Sequence, residues 1–159
     1  MIKKKVCMVG GFAVGKTSLV KRFVESIFSE KYHSTIGVTI DTKLVDVNGK
    51  KVMLVVWDLA GEDGIQKVNP GYLAGAGGYL LVADGTRPET LAIADELKER
   101  VGGELPFQIL INKADLAWEV SDADLAALRD RGWTVRKTSA KTGAGVDEAF
   151  QALAAAMVG

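Results

Sequence analysis

Residues 10–17 read Gly10-Gly11-Phe12-Ala13-Val14-Gly15-Lys16-Thr17, the spacing G-x-x-x-x-G-K-[ST] of a Walker A loop. The chemistry it implies is the grip on a chain of phosphates. Glycines allow backbone torsions that turn successive N–H groups inward, making a nest for anionic oxygens. A helix opening near Lys16 adds its unpaired N–H donors and the positive end of its dipole. In such a loop Lys16 reaches the β- and γ-phosphates, the Thr17 hydroxyl ligates Mg²⁺, and Ser18 lies beside it at the helix start. Mg²⁺ keeps most of its waters and needs few protein ligands. Asp58, directly after Val52-Met53-Leu54-Val55-Val56-Trp57, is the candidate carboxylate.

A phosphate loop names no base. Asn112-Lys113-Ala114-Asp115 points to guanine. A carboxylate such as Asp115 accepts two hydrogen bonds from the N1–H and exocyclic amine of guanine. Adenine offers neither, and an unpaired polar group gives strong discrimination. Lys113 can lay its methylene stem along the base plane. Ser139-Ala140-Lys141 would offer a backbone N–H to the guanine O6. An ATP-using kinase fits poorly, because Asn112 and Asp115 complement guanine and no acceptor site is evident.

The elements that must position these groups alternate along the chain. Val6-Cys7-Met8-Val9 is a short apolar strand, followed past the glycines by Leu19, Val20, Phe23, Val24 and Ile27 at helical spacing. Two β-rich runs, 38–47 and 51–57, meet at Asn48-Gly49, a hairpin signal that makes them antiparallel. Tyr79-Leu80-Leu81-Val82-Ala83 and Phe107-Gln108-Ile109-Leu110-Ile111 suit strands covered on both faces. Between them, Thr86 and Glu89 form a capping-box pattern before Leu91, Ala94, Leu97 and Val101, and Gly102-Gly103 ends that helix. Ser121 and Asp124 open another helix, a sixth strand is expected near Val135, and Val146, Phe150, Leu153 and Met157 form the stripe of the last helix. The expected fold is α/β: one doubly wound, mostly parallel six-stranded sheet with one antiparallel hairpin strand and helices on both faces, spanning 1–159 as one domain. In such sheets ligands bind beyond the carboxyl ends of the strands.

Composition sets the bounds. Of 159 residues, 48% are apolar and 25% charged, which suits a globular domain. Twenty basic and twenty acidic side chains cancel, so no field recruits nucleic acid or an anionic membrane. Lys3-Lys4-Lys5 reads as the solvated start of the first strand. Cys7, the single cysteine, reads as a buried small hydrophobe and permits no internal disulfide, which suits a cytoplasmic protein. Ile2 stands where myristoylation needs glycine, and the end Met157-Val158-Gly159 offers no cysteine for prenylation, so no lipid anchor is expected.

The phosphate loop, the N-K-x-D run and the final Ser-Ala-Lys, in this order, resemble the Ras superfamily of small GTPases, the Rab branch most closely, over residues 5–157. The resemblance implies a GTP/GDP-binding, Mg²⁺-dependent switch with effectors, an exchange factor and an activating protein. It implies that Phe28 packs against guanine. The segment 32–37, from Tyr32 to Gly37, resembles switch I, with Thr35 closing on Mg²⁺ and the γ-phosphate. Trp57-Asp58-Leu59-Ala60-Gly61-Glu62-Asp63 resembles the opening of switch II, with the Gly61 N–H on the γ-phosphate. Ile40, Trp57 and Tyr72 resemble the apolar triad through which Rab proteins meet effectors. For Ile40 the alternative is a core position. His33, the lone histidine, reads as a solvated loop residue.

Three departures bear on activity. Glu62 replaces the family's water-orienting glutamine. A carboxylate about 5 Å from an anionic phosphate costs about 1–3 kcal/mol at an effective dielectric near 20, or about 10- to 100-fold in rate. Slow hydrolysis is therefore expected unless Glu62 swings outward. Phe12 and Ala13 stand where the family has small residues or glycine; Phe12 either crowds the γ-phosphate mouth or packs on switch II. Alongside this second departure, no arginine in switch I supplies a finger in cis; the third is that no lipid-bearing tail is expected after residue 157, unless the chain is truncated there. The alternative is a GTP-locked interaction module with little or no hydrolysis.

Overall fold

A computed structural model describes residues 2–11, 13–25, 38–59 and 70–158. The elements run β1 Ile2–Gly10, α1 Lys16–Glu25, β2 Val38–Val47, β3 Lys50–Leu59, α2 Pro70–Leu73, β4 Ala76–Asp84, α3 Glu89–Val101, β5 Phe107–Asn112, α4 Asp122–Asp130, β6 Val135–Lys137 and α5 Val146–Val158. The six strands form one sheet in the order β2-β3-β1-β4-β5-β6. Only the β2–β3 pair is antiparallel, as the Asn-Gly signal requires. Asn48 and Gly49 both take positive φ, +51° and +84°, the torsions of the turn whose twist matches its strands.

Side chains alternate across the strands and so feed two cores. Val6, Met8, Leu54, Leu80 and Val82 pack with Leu19 and Phe23 of α1 and Phe150 and Leu153 of α5. The Phe23 and Phe150 rings stack at 3.9 Å. On the opposite face, Cys7, Val9, Leu81, Ile109 and Ile111 meet Ala94, Leu97, Leu125 and Leu128 of α3 and α4. Coverage on both faces is why β4 and β5 read as near-continuous apolar runs. Burial lifts the Cys7 thiol to about 11.

Ser121 and Asp124 do form a reciprocal capping box on α4. The box expected from Thr86 and Glu89 does not form: α3 has no side-chain cap bond at its N-terminus. The Thr86 hydroxyl and N–H both donate to Asp84 Oδ1, at 2.7 and 2.8 Å. A charged acceptor two residues away outcompetes a helix end for a hydroxyl. The helix does stop at Gly102, whose N–H donates to the Lys98 carbonyl at φ +62°. Lys5, half-buried, also makes contacts: its ammonium donates to the Ala74 carbonyl at 2.8 Å and sits 3.6 Å over the Trp57 ring. No helix among the described residues is long and apolar enough to cross a membrane.

Candidate functional site

The strand register brings the chemistry together at one edge. Met8 pairs with Asp58, Gly10 with Val82, Asp84 with Asn112, and Ile111 with Lys137. All lie at the carboxyl ends of their strands or within two residues of them, so the loops that follow share one rim.

Gly10 ends β1 where a Cβ would come 2.6 Å from the Val82 carbonyl oxygen, so only glycine fits. Gly15 takes φ +102°, and its Cβ would lie 2.2 Å from Asn112 Nδ2. Ala13 is left-handed at φ +60° without being glycine. Gly11 and Val14 are buried within the same loop. Lys16 folds back along it, donating to the Gly10 and Gly11 carbonyls at 3.0 and 3.2 Å. Burial draws its ammonium below the ordinary lysine range, and the Asp58 carboxylate opposes that shift. The Thr17 hydroxyl donates to Asp58 Oδ2 at 2.5 Å. One alcohol and one buried carboxylate, on different elements, thus converge beside the loop. Hard oxygens of this kind are the donor set that suits Mg²⁺.

Opposite stands the second half. Asp115 accepts from the Ser139 hydroxyl at 2.7 Å, a bond that holds its carboxyl below the usual range, with Lys141 and Lys113 assisting at longer reach. The Ser139 N–H is committed to the Ala144 carbonyl at 2.9 Å. Asn112 faces inward: its Nδ2 donates to the Val14 carbonyl at 3.0 Å and its Oδ1 accepts from Thr138 at 3.1 Å. It therefore buckles the loop after β1 to β5 and to the segment after β6. Lys113 reaches Asp84 Oδ2 at 2.7 Å and the Ala13 carbonyl at 3.2 Å. Between the halves lies a cavity of about 460 Å³. Gly15 lines it from the loop, Ser18, Lys21 and Arg22 from α1, Asn112, Lys113, Asp115 and Leu116 from the end of β5 and the turn after it, and Ala140 and Lys141 from the loop after β6.

Sequence reasoning missed three participants. Asp84, fully buried at the end of β4, gathers Lys113, Thr86 and Arg87. The rule that singled out Asp58, a carboxylate at a strand's carboxyl end, also applies to it. Arg22 of α1 donates through Nε to the Ala140 carbonyl at 2.8 Å and through Nη2 to the Lys141 carbonyl. Trp118 donates to the Lys113 carbonyl at 2.7 Å. No local pattern announces either of the last two. Phe12, Phe28, Tyr32, His33, Thr35, Gly61 and Glu62 lie outside the described residues. Of the triad, Ile40 is 50% exposed on β2 and Trp57 is half-buried opposite it. Tyr72 is buried, its hydroxyl within 2.8 Å of the Met8 carbonyl and 2.6 Å of the Trp57 carbonyl.

Comparison with known proteins agrees with this arrangement. The Ras family model matches residues 5–158. The chain is 35% identical over 157 residues to the Ras-related protein Rab-13 of Canis lupus familiaris, covering 94% of this chain and 77% of the relative. It is 35% identical over 156 residues to the Ras-related protein SEC4 of Saccharomyces cerevisiae, covering 94% and 73%. It is 38% identical to the Ras-related protein Rab-26 of Bos taurus, covering 94% and 62%. The chain thus belongs to the Ras family, as a Rab-like, GTP-binding small GTPase.

Proposed function

We propose that residues 1–159 act as one guanine-nucleotide domain, a Mg²⁺-dependent switch that hydrolyses GTP slowly and signals to protein partners through the segments around Thr35 and Gly61. The observation that carries this reading is the cavity that Gly15 and Ser18 line on one side and Asp115, Ala140 and Lys141 on the other. Phosphates would enter over the loop, where Lys16 exchanges its two carbonyl acceptors for β- and γ-phosphate oxygens. That exchange is favourable because a desolvated ammonium gains more from an anion than from a neutral carbonyl. At the far end, Asp115 is ionised at neutral pH as aspartates ordinarily are, and the Ser139 bond lowers its carboxyl further. Asp115 therefore remains an acceptor for the two guanine donors across the neutral pH range. With the Ser139 N–H already used, the contact to O6 falls to the Ala140 or Lys141 N–H.

Thr17 and Asp58, with Thr35 from switch I, are the residues that would hold Mg²⁺. When bound, the ion neutralises charge on the phosphate oxygens. Exchange factors, activating proteins and effectors would read the two switch segments, which the γ-phosphate holds and hydrolysis releases. Ile40 and Trp57 give that surface an apolar patch. Glu62 sets the pace, since a carboxylate near the γ-phosphate accepts a bond from the attacking water but donates none back.

The test is single-turnover conversion of Mg²⁺-GTP, following GDP per protein by chromatography. Slow but complete conversion is expected, and Glu62→Gln should speed it about 10- to 100-fold. GTP that persists unchanged would replace the timed switch with a GTP-locked interaction module.

A further inference from the structure

Lys113 occupies a backbone position that its side chain does not favour. Its φ is +71°, in the left-handed region that glycine and asparagine adopt readily and long side chains avoid. The peptide that follows it is pinned at both ends. Its carbonyl accepts from the Leu116 N–H at 2.9 Å and from the Trp118 indole N–H at 2.7 Å. Its N–H, on Ala114, donates to the Thr138 carbonyl at 2.9 Å. Asp115 comes next in the chain.

Trp118 is itself well anchored. Its ring packs against the buried apolar cluster on the α3–α4 face of the sheet. It also presses on Gly85 so closely that a Cβ there would fall 2.2 Å from the indole. The Gly85 carbonyl in turn accepts from Glu119 and Val120 at 2.9 and 3.0 Å. The Lys137 ammonium stands 5.6 Å from the ring centre. The indole has one donor, and this packing aims it at one carbonyl.

We infer that Trp118 is a positioning residue for base recognition. Its bond to the Lys113 carbonyl holds the left-handed turn that lays the lysine across the cavity mouth and presents Asp115. The inference rests on reading the cavity as the guanine site. Trp118 touches no nucleotide on this account; it fixes the geometry of the two residues that would. Holding the turn before the ligand arrives removes an ordering cost from binding and slows release.

The experiment measures release of a fluorescent GDP derivative by stopped flow in the full chain, for Trp118→Phe and for the chain with benzothienylalanine at 118. The analogue keeps the bicyclic ring and lacks only the N–H. Losing one such bond should speed GDP release about 3- to 10-fold and leave association unchanged. Both replacements are then repeated in a Lys113→Gly background, where glycine takes the left-handed turn unaided. There the effect should fall below about 2-fold, because coupled positions are not additive. Equal acceleration in both backgrounds would make Trp118 a general support of the loop and overturn the inference. So would unchanged release in the Lys113 background. A parallel ADP derivative separates the two layers. Parent protein that holds ADP as tightly as GDP would remove the guanine reading itself, whatever Trp118 does.

Discussion

In the proposed reading, the phosphate end is one run of chain from Gly10 to Thr17 that would supply both the fold and the chemistry, with backbone torsions such as those of Ala13 and Gly15 as its working parts. At the base end, the groups arrive from three strand termini and are held by side chains, among them Asp84, Asn112, Thr138 and Ser139. The first end is specified locally and the second by tertiary contact. A backbone cradle recognises a charge pattern any nucleotide carries. A side-chain socket can be shaped to one base.

The sharpest way to break this contrast is at the phosphate end. Lys16→Ala should weaken GDP by about 1,000-fold or more, since it removes charge-assisted bonds to the phosphates. Calorimetry showing tight GDP binding by that variant would dissolve the cradle reading. At the base end, Asp115→Asn should cost about 100-fold for GDP while raising affinity for xanthosine diphosphate. Competition assays in which guanine affinity stays put would sink the socket.

The third test asks whether the socket depends on its buried support. Asp84→Ala removes the acceptor for Lys113, Thr86 and Arg87. The loss should be about 2–3 kcal/mol after allowing for the partial exposure of Lys113. Melting should fall by roughly 5–10 °C. Burial would raise the Asp84 carboxyl, but the bonds from Lys113, Thr86 and Arg87 outweigh it and hold it at about 2. Because the folded value lies below the ordinary one, near 4, this stabilisation is complete above about pH 4 and is lost as pH falls toward about 2. Denaturant titrations across that window should show a steeper acid loss in the parent than in Asp84→Asn. The smallest effect serves as a control. Gly49→Ala places a methyl in open space at φ +84°, costing about 1 kcal/mol of stability with no change in GDP release.

The same contrast explains what could be read from the chain unaided. Gly15-Lys16-Thr17 and Asn48-Gly49 are contiguous, and each demands torsions few other residues tolerate, so both were legible. The mostly parallel sheet with its one antiparallel pair followed from strand–helix alternation and the hairpin; the order of its strands did not. Asn112 was legible as part of the base motif, but its direction was not: it turns toward Val14, 98 residues away. Thr86 and Glu89 matched a capping pattern that failed because Asp84 captured the hydroxyl. Arg22 meets a carbonyl 118 residues distant, and no periodicity encodes such a meeting. Trp118 reaches only five residues back, yet an indole beside a turn carries no recurring signature.

Arg22 has a consequence for size selection. It lies six residues beyond Lys16 on one helix, about 9 Å along its axis at 1.5 Å per residue. The same rigid rod thus begins at the Gly15–Lys16 junction and, at Arg22, meets the carbonyls of Ala140 and Lys141. Under the proposed guanine reading it would work as a ruler. Ligands carrying a phosphate and a purine at the wrong separation can satisfy one end only. They forfeit the gain in effective concentration that comes from engaging both.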